Sequence, residues 1–285
     1  MTNAVAASSP PSKFRNNKAV LEPRSGWQAI HFGELWQYRE LLFILAGRDI
    51  KVRYKQTVLG AAWALIQPLL NTIVFVAIFS GLAPGGCNPK IFFFAGNLIW
   101  ILFSSAVSSA GNSLIGNQNL IAKVYFPRLV IPIASVIVSL ADFCVGFGLL
   151  IVMMLIFRVE WPETMLLIPV FVAMAFLAAL SVGLWLAALN VEFRDIRYVI
   201  PFLVQFGIFI TPVIYPASRF DKTPWKLYLL GLNPMSGVVE GFRWCILGTE
   251  VHWYLVVMSG ITTLILLTGG LFYFRRMEKT FADLV

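Results

Sequence analysis

Six apolar stretches, each close to the length a helix needs to cross a bilayer, constrain this chain more than any other feature. They run over approximately 58–83, 91–115, 129–157, 164–190, 198–215 and 251–274. About 20 helical residues cover the ~30 Å hydrocarbon core of a bilayer. The stretch 198–215 is the short one and reads equally as a broken span. Charged residues are only 13% of the 285, against 59% hydrophobic, and the mean hydropathy is +0.79. A water-soluble domain of this size needs far more charge on its surface. The sequence therefore predicts an all-α integral membrane protein with six transmembrane helices.

The net charge of +8 would suit a nucleic-acid partner, but the positions of the charges argue against one. Of the 22 Lys and Arg, sixteen fall on one predicted side: nine before the first span, Lys123, Arg128, Arg194, Arg197, Arg275, Arg276 and Lys279. The other side holds Lys90, Arg158, Arg219, Lys222, Lys226 and Arg243. The positive-inside rule then puts both termini in the cytoplasm. Residues 1–30 lack the apolar core of a secretory signal and read as a flexible cytosolic tail. Cys87, Cys144 and Cys245 show no metal-ligand spacing, and only His31 and His252 accompany them. Three small apolar residues is the plain reading; Cys87 and Cys245, both on the outer side, are the one pair open to a disulfide.

Residues 31–56 read as an amphipathic helix on the inner membrane surface. Tyr38, Leu41, Leu42, Leu45, Ala46 and Val52 share one broad face, with Glu40, Arg48, Lys51 and Lys55 opposite. An orientation anchor and a gate for substrate both fit that pattern. The cytosolic loop GNQNLIAKVYFPR (116–128) carries Leu120, Ile121, Val124, Tyr125 and Phe126, apolar side chains that need a cover. Docking on a cytosolic partner, with Lys123 and Arg128 at the rim, is the favoured reading over folding back onto the chain's own helices. On the outer side, Trp225–Leu232 and Met235–Leu247 are each too short to cross, and Asn233-Pro234 separates them. They predict a re-entrant helical hairpin over about 219–248, closing the outer mouth of a pathway, with Glu240 and Arg243 spaced to pair. Pro68 should bend the first helix, and Asp142 is open to a functional role or a structural hydrogen bond. Phe202, Phe206 and Phe209 fall on one helical face, and with Trp63, Phe75, Trp100 and Phe103 are candidate channel-lining rings suited to sugars. The acids Glu192 and Asp195 alternate with Arg194 and Arg197, a salt-bridging pattern.

The stretch RDIKVRYKQTVLGAAWALIQP (48–68) closely resembles the start of the permease subunit of ABC exporters for bacterial cell-surface polysaccharides, the O-antigen, capsule and teichoic-acid exporters. NLIAKVYFPRLVIP (119–132), RDIRYVIPFLVQFGIFITPVIYP (194–216) and LNPMSGVVEGFRW (232–244) resemble later motifs of that family, in order. The resemblance covers about residues 31–275. It implies a homodimer in the bacterial cytoplasmic (inner) membrane with two copies of a cytosolic ABC ATPase, which would carry ATP and Mg. It also implies an undecaprenyl-pyrophosphate-type lipid-linked polysaccharide as substrate and no catalytic residue or cofactor in this chain. The gating role falls on Arg48, Lys51, Arg53, Tyr54 and Lys55, whose cations suit a pyrophosphate. The coupling role falls on a helix over about 117–127, with Asn119, Leu120, Ile121, Lys123, Tyr125, Phe126 and Arg128. The outer gate takes Trp225, Asn233, Pro234, Glu240 and Arg243. The absence of a GxxxxGK[ST] loop agrees, because ATP must then be bound by another polypeptide. Two other classes stay open: an ABC exporter of a drug or lipid, and a membrane-embedded glycan-processing enzyme.

Overall fold

The computed structural model describes residues 32–55, 60–124 and 126–278, and among them every regular element is helical. The expected tail over 1–30, the start of the first span, Tyr125 and Lys279 lie outside the described residues. A short helix α1 (Phe32–Gln37) leads into α2 (Arg39–Lys55), followed by α3 (Gly60–Phe79) and α4 (Pro89–Gly116). Next come α5 (Gln118–Lys123), α6 (Val130–Ile156), α7 (Ile168–Glu192) and α8 (Ile196–Ile210). The chain ends with α9 (Pro224–Gly231), α10 (Ser236–Leu247) and α11 (Trp253–Glu278).

Local chemistry sets several of these boundaries. The Asn88 side chain accepts the Lys90 amide at 3.0 Å, and Pro89 opens α4 where a missing N–H costs nothing. Gly248, at φ +63°, ends α10 in the left-handed region. Within α3, Pro68 cannot donate to the helix ladder, but its own carbonyl is well used. It accepts from Thr72 Oγ1 at 2.7 Å and from Asn97 Nδ2 of α4 at 3.3 Å.

Helix α4 is the centre of the molecule. Burial covers 78% of its spanning stretch, against 11% for α3, and every residue from Ile91 to Trp100 is buried. Helices α6 and α7 flank it, and α11 packs on the far side of α7 through Trp185, whose Nε1 donates to the Leu266 carbonyl at 2.9 Å. Asn190 of α7 donates to the Gly111 carbonyl of α4 at 2.8 Å, a polar link that a bilayer favours because its groups find no water.

Among the described residues, five helices are long and apolar enough to span a bilayer: Ala62–Leu82, Pro89–Gly116, Val130–Ile156, Glu163–Glu192 and Trp253–Glu278. The predicted stretch 198–215 forms only α8, 15 residues long. At 1.5 Å per residue that is about 22 Å, short of the hydrocarbon thickness. The helix stops because Thr211 turns extended and the chain runs irregularly to Pro216. The three cysteines are all free, and Cys87 and Cys245 form no bridge.

Candidate functional site

The residues singled out from the sequence gather at three places. The first is where the C-terminal end of α2 meets α6. Leu45 and Ala46 are buried and α2 packs along α6, so the apolar face expected to rest on lipid is largely covered by the chain's own helices. Val52, expected on that face, is 49% exposed, as are Phe43 and Ile44 to a greater degree. A sequence pattern records only that a face is apolar, and lipid and protein satisfy it equally. Arg53 Nη1 bonds Asp142 Oδ2, and Tyr54 donates to Asp142 Oδ1 at 2.5 Å. Burial first, then the hydrogen bond to Asp142, pushes the Tyr54 phenol up to about 12, so it stays a donor. Asp142, left undecided by the sequence, is therefore the anchor of the α2 end. Arg48 reaches the other way, donating to Asp49 Oδ1 at 2.8 Å and to Asn117 Oδ1 at 3.0 Å. Lys51 and Lys55 are exposed beside them.

The second place is the loop around α5. The helix is six residues long and gives way to extended backbone at Val124, shorter than the predicted 117–127. Of its apolar side chains, Val124 is exposed as expected, but Leu120, Ile121 and Phe126 are not. Ile121 and Phe126 are buried in the main core and Leu120 packs against it, which corrects the reading that they await a partner. What faces out is Gln118, Asn119, Ala122, Lys123 and Val124. Arg128 is tied down: its amide donates to Glu278 Oε1 at 3.1 Å and its Nη1 to the Glu278 carbonyl at 2.6 Å. Next to this region, Glu192 accepts from Tyr273 at 3.0 Å. Among the described residues neither Glu192 nor Asp195 pairs with Arg194 or Arg197, so the expected salt-bridging is replaced by a contact with α11.

The third place is the α9–α10 hairpin, whose two helices match the predicted pieces closely. Asn233 shapes the break: its Oδ1 accepts the Met235 amide at 2.9 Å and its Nδ2 donates to Thr211 Oγ1 at 2.8 Å. Pro234 follows it, half-buried. Trp225 is 61% exposed on α9, while α10 is buried continuously from Ser236 to Arg243. Glu240 and Arg243, spaced to pair, feel each other's charge but make no direct hydrogen bond or salt bridge. Arg243 lies over the Phe92 ring at 3.8 Å and donates to the carbonyls of Phe92 at 3.1 Å, Pro212 at 2.7 Å and Val213. There is no room for a Cβ at Gly96 because the guanidinium occupies that space. Glu240 turns instead to His252 Nδ1 at 2.6 Å, and His252 Nε2 meets Asp221 at 3.0 Å. His252, Asp221 and the buried carbonyl acceptors carried no signal in the sequence.

The candidate channel rings divide into two groups. Phe202, Phe206 and Phe209 are each at least 50% exposed on one face of α8, and Trp63 is 56% exposed on α3. Trp100 and Phe103 are buried within the subunit, with the Trp100 ring so close to Gly207 that an added Cβ would lie 2.7 Å away. Phe75 is half-buried against Phe79 and Phe93.

A bundle of long apolar helices around a buried central helix is the form of an integral membrane domain. The chain belongs to the ABC-2 type transporter family, whose model matches residues 40–247. It is similar to the O-antigen export system permease protein RfbA of Myxococcus xanthus, 33% identical over 212 residues, 74% of this chain and 81% of that one. An O-antigen export system permease protein RfbA of Klebsiella pneumoniae is 25% identical across 86% of this chain and 95% of its own length. The polysialic acid transport protein KpsM of Escherichia coli is 27% identical across 84% of this chain and 93% of its own.

Proposed function

We propose that this chain is the channel-forming permease subunit of an ATP-driven exporter that moves a lipid-linked polysaccharide out across the bacterial cytoplasmic membrane. The observation that carries this reading is the near full-length similarity to O-antigen and polysialic acid transport proteins, in a chain of the ABC-2 type transporter family. In this reading the chain works as a homodimer with two copies of a separate ABC ATPase, on which ATP and Mg are bound. Both termini lie in the cytoplasm. Helices α1 and α2 sit at the inner surface, and α8 with the turn after it makes the sixth crossing. The α9–α10 hairpin dips into the bilayer from outside.

The contacts support a mechanism for this reading. An ATPase that closes on ATP pushes on the polar tip of α5, where Asn119 and Lys123 are exposed. The push passes to α2 through the Arg48–Asn117 hydrogen bond and reaches the α2 end held by Asp142. Arg53, Lys51 and Lys55 there offer the charge to receive an undecaprenyl-pyrophosphate-type headgroup, and Arg48 and Tyr54 orient it. Movement of α2 off α6 admits the substrate. At the other end Arg243 fastens the hairpin to the start of α4 and to the residues after α8. Charge reversal of Lys51 and Lys55 together should lower glycan-stimulated ATPase turnover several-fold while the complex still assembles. Unchanged stimulation would remove the gating role from α2.

A further inference from the structure

A cavity of about 520 Å³ lies between the end of α2 and helices α3, α4 and α6. That is within the ~300–1,000 Å³ of clefts that hold small ligands. Its walls are mainly apolar, with Leu98, Leu102 and Phe143, and polar groups converge on it from separate elements: Arg53, Gln67, Ser139 and Asp142. Trp63 lines it while 56% exposed, so one edge is open. Ser139 is the telling residue. It has no exposed surface, and its Oγ has no hydrogen-bond partner. The neighbouring Ser135 satisfies itself by donating to the Ile131 carbonyl at 3.1 Å, the ordinary solution for a helical serine. Ser139 does not, which leaves a buried hydroxyl on the cavity wall in need of a partner.

We infer that this cavity binds the sugar ring joined to the carrier's phosphate, that is, the glycosyl phosphate end of the substrate. The wall carries what a pyranose needs: an aromatic ring for its apolar face, and hydroxyl, amide and carboxylate groups for its hydroxyls. Arg53 stands at the same wall for the phosphate. Asp142 is bonded to Arg53 where that phosphate would sit. A phosphate arriving at Arg53 competes with Asp142 and frees a carboxylate oxygen to accept from the sugar. A carrier without sugar would satisfy Arg53 but leave Ser139 and Gln67 unmet. The inference rests on the exporter reading above and adds that the chain reads the first sugar, not only the charge.

The test uses the assembled exporter with its ATPase in lipid nanodiscs. The probes are farnesyl pyrophosphate, bare or bearing glucose, galactose or N-acetylglucosamine. At least one glycosylated probe should bind about tenfold tighter than the bare one. Ser139→Phe, which fills the cavity, and Trp63→Ala, at an exposed position that tolerates change, should each erase that advantage. Ser139→Thr should keep it, and binding of the bare probe should be unmoved in all three. Equal affinity of the wild type for all probes, or an advantage that survives Trp63→Ala, overturns the inference. Whether deleting the gene removes surface glycan is scored separately, because that result decides the exporter reading and not the sugar site.

Discussion

Among the described residues no carboxylate lies within salt-bridge reach of Arg243; three backbone carbonyls and the face of Phe92 hold it. A buried guanidinium of this kind serves by geometry, because its planar fork reaches acceptors on two segments at once. Arg243→Ala would strand those carbonyls and open a void, a loss on the order of 3–5 kcal/mol. Arg243→Lys should recover little, since an ammonium cannot span the same acceptors, and thermal melting of the purified protein reads both. His252 gives a second prediction at this scale. Burial alone would lower its imidazole, but the hydrogen bonds and charges of Glu240 and Asp221 outweigh that and hold it above its ordinary 6.5. The folded state thus binds the proton more tightly than the unfolded one. The resulting stability is fully present below about pH 6.5 and is lost as pH rises through the higher folded value. Melting temperature should fall as pH climbs from about 6.5 through that higher value, and His252→Gln should flatten that slope. An equal slope in the variant would show that other groups set it.

Between elements, a hydrogen bond from Arg48 to Asn117 joins the α5 region to α2. Asn117→Ala, which removes the acceptor of that bridge and keeps the headgroup cations, should leave ATP turnover by the assembled complex near normal and reduce export several-fold, measured as surface glycan per ATP hydrolysed. Equal losses in both would mean the bridge holds the structure together and transmits nothing. The elements themselves were mostly legible: long apolar runs gave the spanning helices, and Asn233-Pro234 marked the hairpin break. What covers each face was not. Ile121 and Phe126 look alike in sequence whether a partner or the chain's own core receives them, and the core does. Arg53 meets Asp142, 89 residues away, and Arg243 meets carbonyls, which every residue has and no sequence pattern marks. Glu240 and Arg243 were spaced to pair, yet each found a partner on another segment.

For the molecule as a whole, α8 poses a problem that a single copy does not solve. Phe202, Gln205, Phe206 and Phe209 share one exposed face of it. Rings there would be content in lipid, but the Gln205 amide would lie in hydrocarbon with no partner, at a cost of a few kcal/mol. A wet passage walled by two copies removes that cost and places rings where sugars pass. Among the described residues of one copy, the centre of the bundle is filled by the packed helix α4. The protein should therefore run in mild detergent at the mass of two 31.9 kDa chains, before its ATPases are added. With Cys87 and Cys144 replaced, Gln205→Cys should react with a charged methanethiosulfonate reagent in membranes. Ile73→Cys, on the lipid-like face of α3, should not. A monomeric mass, or a position 205 as unreactive as position 73, would mean that α8 faces lipid and the glycan takes another route.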